Sequence, residues 1–179
     1  MTTISAILLR HLQPIVGMPL SIARRASSMR GFHFGAVRPI DRGTAGEYSL
    51  HIQCPWRIEG PNGILTGSSD LWRPLSSDVD WNTWTYERGN LQDALLREWL
   101  GGYDEGTRSL INPDERLVVE AVKADDYGGA TIALSGGFRL VLFPDGSDDE
   151  NWRLFQCQTD AAHLVVEGGR IIESCAAVV

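Results

Sequence analysis

Between Tyr48 and Glu59 the chain alternates without a break: Tyr48, Leu50, Ile52, Cys54, Trp56 and Ile58 fall on one parity, and Ser49, His51, Gln53, Pro55, Arg57 and Glu59 on the other. A period of two marks a β-strand with one buried face. Such a strand belongs to a sheet whose second face meets water or a partner, because a strand buried on both faces reads as continuously apolar. Pro55 removes a ladder donor and calls for an edge position, a bulge or a bend at that point. Gly60-Pro61-Asn62-Gly63 then supplies a tight turn, and Ile64 to Thr66 return alongside as a hairpin.

The flanking segments are read in the same way. Ile4, Ile7, Leu8 and Leu12 are spaced for a short helix that Pro14 ends, and Leu20, Ile22, Ala23, Ala26 and Met29 suggest a second helix that stops at Gly31. Phe32 to Ile40 reads as extended. Asn90 caps a third helix with Asp93 in its first turn, apolar positions at Leu91, Ala94, Leu95 and Trp99 with Leu96 and Leu100 flanking, and Gly101-Gly102 at its end. It is expected to pack across the core face of the sheet. Leu117 to Ala124, Ala130 to Leu134 and Phe138 to Phe143 form a meander, and Trp152 to Gln156, His163 to Glu167 and Arg170 to Ser174 complete the sheet. No strand-helix-strand alternation occurs, so the expected fold is α+β: a bent, mainly antiparallel sheet with about three helices packed on one face. The core is expected to include Leu50, Ile52, Cys54, Trp56, Leu95, Trp99, Val119, Ile132, Leu140 and Leu142.

At 179 residues the chain is the size of one domain, and 1–179 is read as a single one. Charge divides it. The first 46 residues carry six arginines against Asp41, whereas the remainder carries ten cations against 22 carboxylates, a net of −12. The reading is therefore a basic helical segment, 1–46, packed on an acidic sheet body, 47–179. An acidic body makes nucleic acid an unlikely partner, since affinity there comes from neutralising phosphates. The arginines are expected mainly to pair with the body's own carboxylates. Three scattered cysteines, Cys54, Cys157 and Cys175, make no disulfide framework and suggest the cytoplasm. No apolar run approaches the ~20 residues of a membrane span.

Several constellations invite a chemical reading. Trp56-Arg57 and Trp152-Arg153 repeat a pair in which one residue points inward and the other outward, so Arg57 and Arg153 are candidate anion-binding groups, or simply partners of Glu59, Glu167 or Asp149. His51 and Cys54 lie at opposite parity and cannot share an ion, so no metal site is expected. Cys54, on the core parity, reads as a small buried hydrophobe rather than a nucleophile. Asp145 to Glu150 lacks the spacing of a calcium loop. Glycine-rich nucleotide signatures, G-x-S-x-G and H-E-x-x-H are all absent, so no catalytic residue and no cofactor is assigned. The segment from Gly67 to Gly89 carries Trp72, Trp81, Trp84 and Tyr86 among charges, and reads either as a flap that caps the core or as an interaction surface.

H-I-Q-C-P-W-R-I, G-S-S-D, F-P-D-G-S-D-D-E-N-W-R-L-F and the run His163-Leu164-Val165-Val166 together resemble small bacterial proteins known only as domains of unknown function. The resemblance covers roughly Tyr48 to Glu167 and implies no activity. The expectation is a non-enzymatic binding protein of inhibitor or immunity type, its partner a protein with a basic surface. Its candidate binding residues are His51, Gln53, Arg57, Trp81, Trp84, Arg153 and His163. The alternative is a small-molecule-binding or hydrolytic enzyme that uses a polar sheet face with His51 and Arg57.

Overall fold

The computed structural model describes residues 3–112 and 117–174; Cys175 lies outside them. In chain order the elements begin with α1 (Ile4–Leu12), β1 (Leu20–Ala26), β2 (Met29–Phe34), β3 (Arg38–Ile40), β4 (Gly43–Ala45), β5 (Tyr48–Ile52), β6 (Trp56–Gly60) and β7 (Gly63–Gly67). They continue through α2 (Leu91–Leu100), β8 (Gly102–Asp104), β9 (Ser109–Ile111), β10 (Val119–Ala124), β11 (Ala130–Leu134), β12 (Phe138–Leu142), β13 (Glu150–Gln156), β14 (His163–Glu167) and β15 (Arg170–Ser174). The strands form an eight-stranded sheet ordered β15-β14-β13-β5-β2-β1-β9-β8, a five-stranded sheet ordered β10-β11-β12-β6-β7, and the hairpin β3-β4. All the pairings are antiparallel.

The alternating stretch explains why there are two sheets. Tyr48–Ile52 pairs within the large sheet, Trp56–Gly60 within the small one, and the chain crosses between them at Gln53-Cys54-Pro55. Parity survives the crossing: Leu50, Ile52, Cys54, Trp56 and Ile58 are all at most 6% exposed. Both sheets therefore turn their apolar faces to one core, with Phe32 of the large sheet meeting Trp56 of the small one edge-on at 5.4 Å. The crossing is fastened by the Gln53 and Cys54 N–H groups, both donating to the Asn151 carbonyl.

This architecture corrects the expected one. A second sheet, not a layer of about three helices, covers the core face, and among the described residues there are two α-helices, each closing one open side of the sandwich. Leu8 and Leu12 of α1 are buried beside β10, an edge of the small sheet. Helix α2 bridges β7, the opposite edge, to β8 and β9 of the large sheet. Its capping follows the sequence, with the Asp93 N–H donating to Asn90 Oδ1 at 2.8 Å and Gly101 left-handed at φ 82°. Its phase does not: Gln92, Leu96 and Leu100 face inward, while Leu95 and Trp99 are only partly buried.

The expected second helix is strand β1, so residues 1–46 are not a helical segment laid on a sheet but supply two central strands of it. A bulge at Ser21 shifts the register between Leu20 and Ile22. Leu20 and Ala23 thus join the core while Ile22 points the other way, which gives the inward residues a spacing of three and imitates a helix. The hairpin β3-β4 lies over the other face, with Arg24 Nη2 donating to the Thr44 carbonyl at 2.5 Å. Two covered faces make the run from Leu20 to Ala23 continuously buried and remove the strand's alternation.

The strand at Arg30 also carries a buried cation. Arg30 is 1% exposed; its Nη2 donates to Asp93 Oδ1 at 2.5 Å and its Nε to Gln92 Oε1 at 3.1 Å. Gln92 Nε2 in turn donates to the Gly67 carbonyl at 2.8 Å, so one network ties β2, α2 and β7 together. Burial alone would raise the Asp93 carboxyl, but Arg30, Asn90 and Arg25 outweigh it and hold that group below its ordinary value. Arg25 and Arg38 likewise pair with Asp93 and Glu47, as expected of the basic segment.

Replacing Trp56 by Ala removes the side chain that meets Phe32 across the two sheets and should cost ~3–5 kcal/mol in urea unfolding, as large buried aromatics do. A loss below ~1 kcal/mol would show that this contact does not hold the sheets together.

Candidate functional site

The outward face of the large sheet gathers four of the candidate residues. Register places Arg24, Gly31, His51, Arg153, Val165 and Ile172 in one row across six strands. At Gly31 an added Cβ would lie 3.6 Å from both Arg24 Cγ and His51 Cδ2, so these two side chains close over the glycine. The next row places Ile22, His33, Ser49 and Phe155 side by side. Phe155 stacks on His163 at 4.6 Å and receives His51 edge-on at 4.9 Å. Arg153 Nε donates to Glu150 Oε1 at 2.6 Å and its Nη2 to Glu150 Oε2, so its partner is Glu150 rather than Glu167 or Asp149. Gln53 adds a side-chain hydrogen bond to the same carboxylate.

These groups are electrostatically quiet. Burial, then Arg153, lowers His51 to about 4; burial, then Arg24, lowers His33 to about 3; His163 is lowered by burial and by Arg153. Arg153 holds Glu150 below its ordinary value. A neutral imidazole so hard to protonate is a poor general base near pH 7, where matched values work best.

Sequence reasoning missed the His33–Ser49 pair, whose Nε2 and Oγ stand 3.5 Å apart. Its signal was the alternation of Gly31 and His33 with Phe32 and Phe34. The arrangement suits structure, not nucleophilic catalysis. The Gly46 N–H donates to His33 Nδ1 at 3.3 Å, which places the lone pair there and the proton on Nε2, opposite to the tautomer a serine base requires. Ser49 is also 0% exposed.

Arg57 lies elsewhere, on the outward face of the small sheet, where it pairs with Glu59 at 2.8 Å. His51 and Arg57 thus stand on different sheets and do not share the polar face expected of the enzyme reading. Burial raises the Cys54 thiol to about 11 and raises Cys157 too, and both cysteines are free. Among the described residues no group of three or more His, Cys, Asp or Glu side chains is placed to hold a metal ion.

Trp81 and Trp84 belong to a third place, the loop between β7 and α2. Asp80 starts a single turn: its carbonyl accepts the Thr83 and Trp84 N–H groups at 3.0 and 2.9 Å, and its Oδ1 accepts the Asn82 N–H at 3.0 Å. The turn sets Trp81 and Trp84 three residues apart on one side, where their rings meet at 5.7 Å. Trp84 Nε1 donates to the Gly89 carbonyl, and Leu75 lies against Gly89. Trp72 meets Tyr86 at 4.9 Å, and Tyr86 is held by Arg25 above its ring and by Ser27 at its hydroxyl. None of these aromatic side chains belongs to the core cluster; Leu71 beside them is buried, at 2% exposure. Trp72, Leu75 and Trp81 remain 57%, 62% and 65% exposed.

No protein-family model matches the chain, and no curated protein or solved structure matches it either. No helix among the described residues is long and apolar enough to cross a membrane.

The histidines of the large sheet give a pH dependence of known sign. Their folded values lie below the ~6.5 of an exposed imidazole, so the unfolded chain binds protons first as pH falls. For the two buried rings, His33 and His51, stability is lost as pH falls through ~6.5, by up to ~1.4 kcal/mol per pH unit each. Urea melts between pH 6.5 and 5, above the main carboxylate range, should show this loss, with a shallower slope in His51→Gln. An NMR titration of His51 with a midpoint above 6 would contradict it.

Proposed function

We propose that this protein acts by binding another protein through the loop 72–86, as an inhibitor or immunity-type partner does, and that its target presents a basic surface. The observation that carries this reading is the exposure of Trp72, Leu75 and Trp81 on a loop whose base is tied down at Tyr86, at Gly89 and by the Leu91 N–H on the Arg73 carbonyl. Large exposed apolar patches are uncommon on soluble monomers and mark interaction sites. Anchoring lowers the ordering cost of binding, and tryptophan and tyrosine dominate binding hot spots. Asp78 and Asp80 flank Trp81 on the exposed side, and the −12 charge of residues 47–179 adds long-range attraction for a cationic target. The hydrolytic alternative loses its premise once His51 and Arg57 are separated.

The double substitution Trp81→Ala/Trp84→Ala should leave stability within ~1 kcal/mol of wild type, since both side chains lie outside the core. It should weaken the partner captured from native lysate and then purified by at least ~100-fold in Kd, with a wild-type association rate that falls as salt rises. A large stability loss with no partner bound by either protein would overturn the reading.

A further inference from the structure

On the outward face of the small sheet, away from the aromatic loop's tip, a concave site of about 310 Å³ is walled by Pro55, Ile64, Val141 and Phe143 and faced by Arg57 and Ser68. Its parts are placed by register. Arg57 pairs across the sheet with Val141 on one side and Gly67 on the other. A Cβ on Gly67 would stand 2.7 Å from the Trp56 carbonyl and 3.2 Å from Arg57 Cβ, so glycine both permits the close strand approach and keeps the floor beside Arg57 open. Ile64 and Phe143, 67% and 66% exposed, stand at the rim as apolar surface that water now covers.

The charge at this site runs against the rest of the body. Glu59 serves two guanidiniums, accepting Arg57 through Oε1 at 2.8 Å and Arg139 through Oε2 at 2.7 Å, which leaves the group one positive charge in excess. Asp70 also lines the site; its Oδ2 accepts the Thr66 hydroxyl at 3.0 Å and the Gly67 N–H at 3.3 Å, and its Oδ1 lies 3.9 Å from Arg73 Nη1, whose charge offsets it. Arg57 spends Nε and Nη2 on Glu59, and its guanidinium is half exposed at the mouth of the site. A planar cation with donors to spare beside an apolar trough is matched by a molecule with a carboxylate at one end and a compact hydrocarbon at the other.

We propose that this trough binds a small amphipathic carboxylate, an aryl- or branched alkyl-substituted acid, whose carboxylate meets Arg57 and whose hydrocarbon lies between Ile64, Val141 and Phe143. The site involves none of residues 72–86, through which a protein partner is proposed to bind, although Ser68, Ser69 and Asp70 at the start of the same connection line it.

Phenylacetate serves as the probe, with phenylacetamide as its neutral isostere and acetate as its headgroup, each titrated into the ¹⁵N-labelled protein. Phenylacetate should shift the amide signals of Gly67, Ser68, Val141 and Phe143 saturably, at least five-fold more tightly than either control. Arg57→Gln should abolish the preference for acid over amide, and Phe143→Ser should weaken acid and amide alike; both positions are exposed, so both variants should fold. Equal shifts for acid and amide, shifts scattered outside the trough, or a preference that survives Arg57→Gln would each overturn the proposal.

Discussion

Between Ile52 and Trp56 the chain leaves one sheet and enters another without losing its alternation of inward and outward residues, and the rest of the structure depends on that continuity. A slip of one residue at Gln53-Cys54-Pro55 would turn Trp56 and Ile58 outward and set Arg57 and Glu59 against Phe32 and Leu50. The double donation from Gln53 and Cys54 to the Asn151 carbonyl holds the crossing in register. The bend that Pro55 permits is therefore what makes two layers from one alternating stretch, and the shared core of Phe32, Leu50, Trp56, Ile58, Leu140 and Trp152 follows.

The buried Arg30 has a complementary role. A guanidinium removed from water is costly unless its donors are filled, and here Asp93 and Gln92 fill them from the first turn of α2. This fixes where the helix begins, and the helix start fixes the end of the loop that carries Trp81 and Trp84. The position of the exposed aromatic surface is thus set by a charge in the interior rather than by apolar contacts of the loop itself.

How much of this was legible depended on whether a segment has one covered face or two. β5, β6, the meander β10-β11-β12 and the last three strands are covered on one side only, or are bounded by clear turns, and their pattern could be read directly. β1 could not, because the hairpin β3-β4 covers its second face and the bulge at Ser21 gives Leu20 and Ala23 a helical spacing. The caps of α2 were legible in Asn90 and Gly101, but its phase was not, since Gln92 faces inward only to meet Arg30. Of the candidate residues, His51, Gln53, Arg153 and His163 converge because β5, β13 and β14 are neighbours, a fact of strand order that local pattern does not encode. Arg57 was assigned to the same polar row and lies on the other sheet for the reason that makes the fold: the row itself changes sheets at Pro55.

Strand order also sets a timetable for synthesis. In the large sheet β5 is flanked on one side by β2, a short hop back along the chain, and on the other by β13, about a hundred residues ahead. A ribosome adding ~5–20 residues per second leaves that flank bare for about 5–20 s. Throughout that interval Leu50 and Ile52 lack Leu154 and Trp152 beside them, and the backbone of β5 offers an unpaired edge to any other extended chain. The nascent protein must therefore be kept from its neighbours until β13, in the last sixth of the chain, emerges, and truncation before β13 would leave a sticky partial sheet rather than a smaller domain.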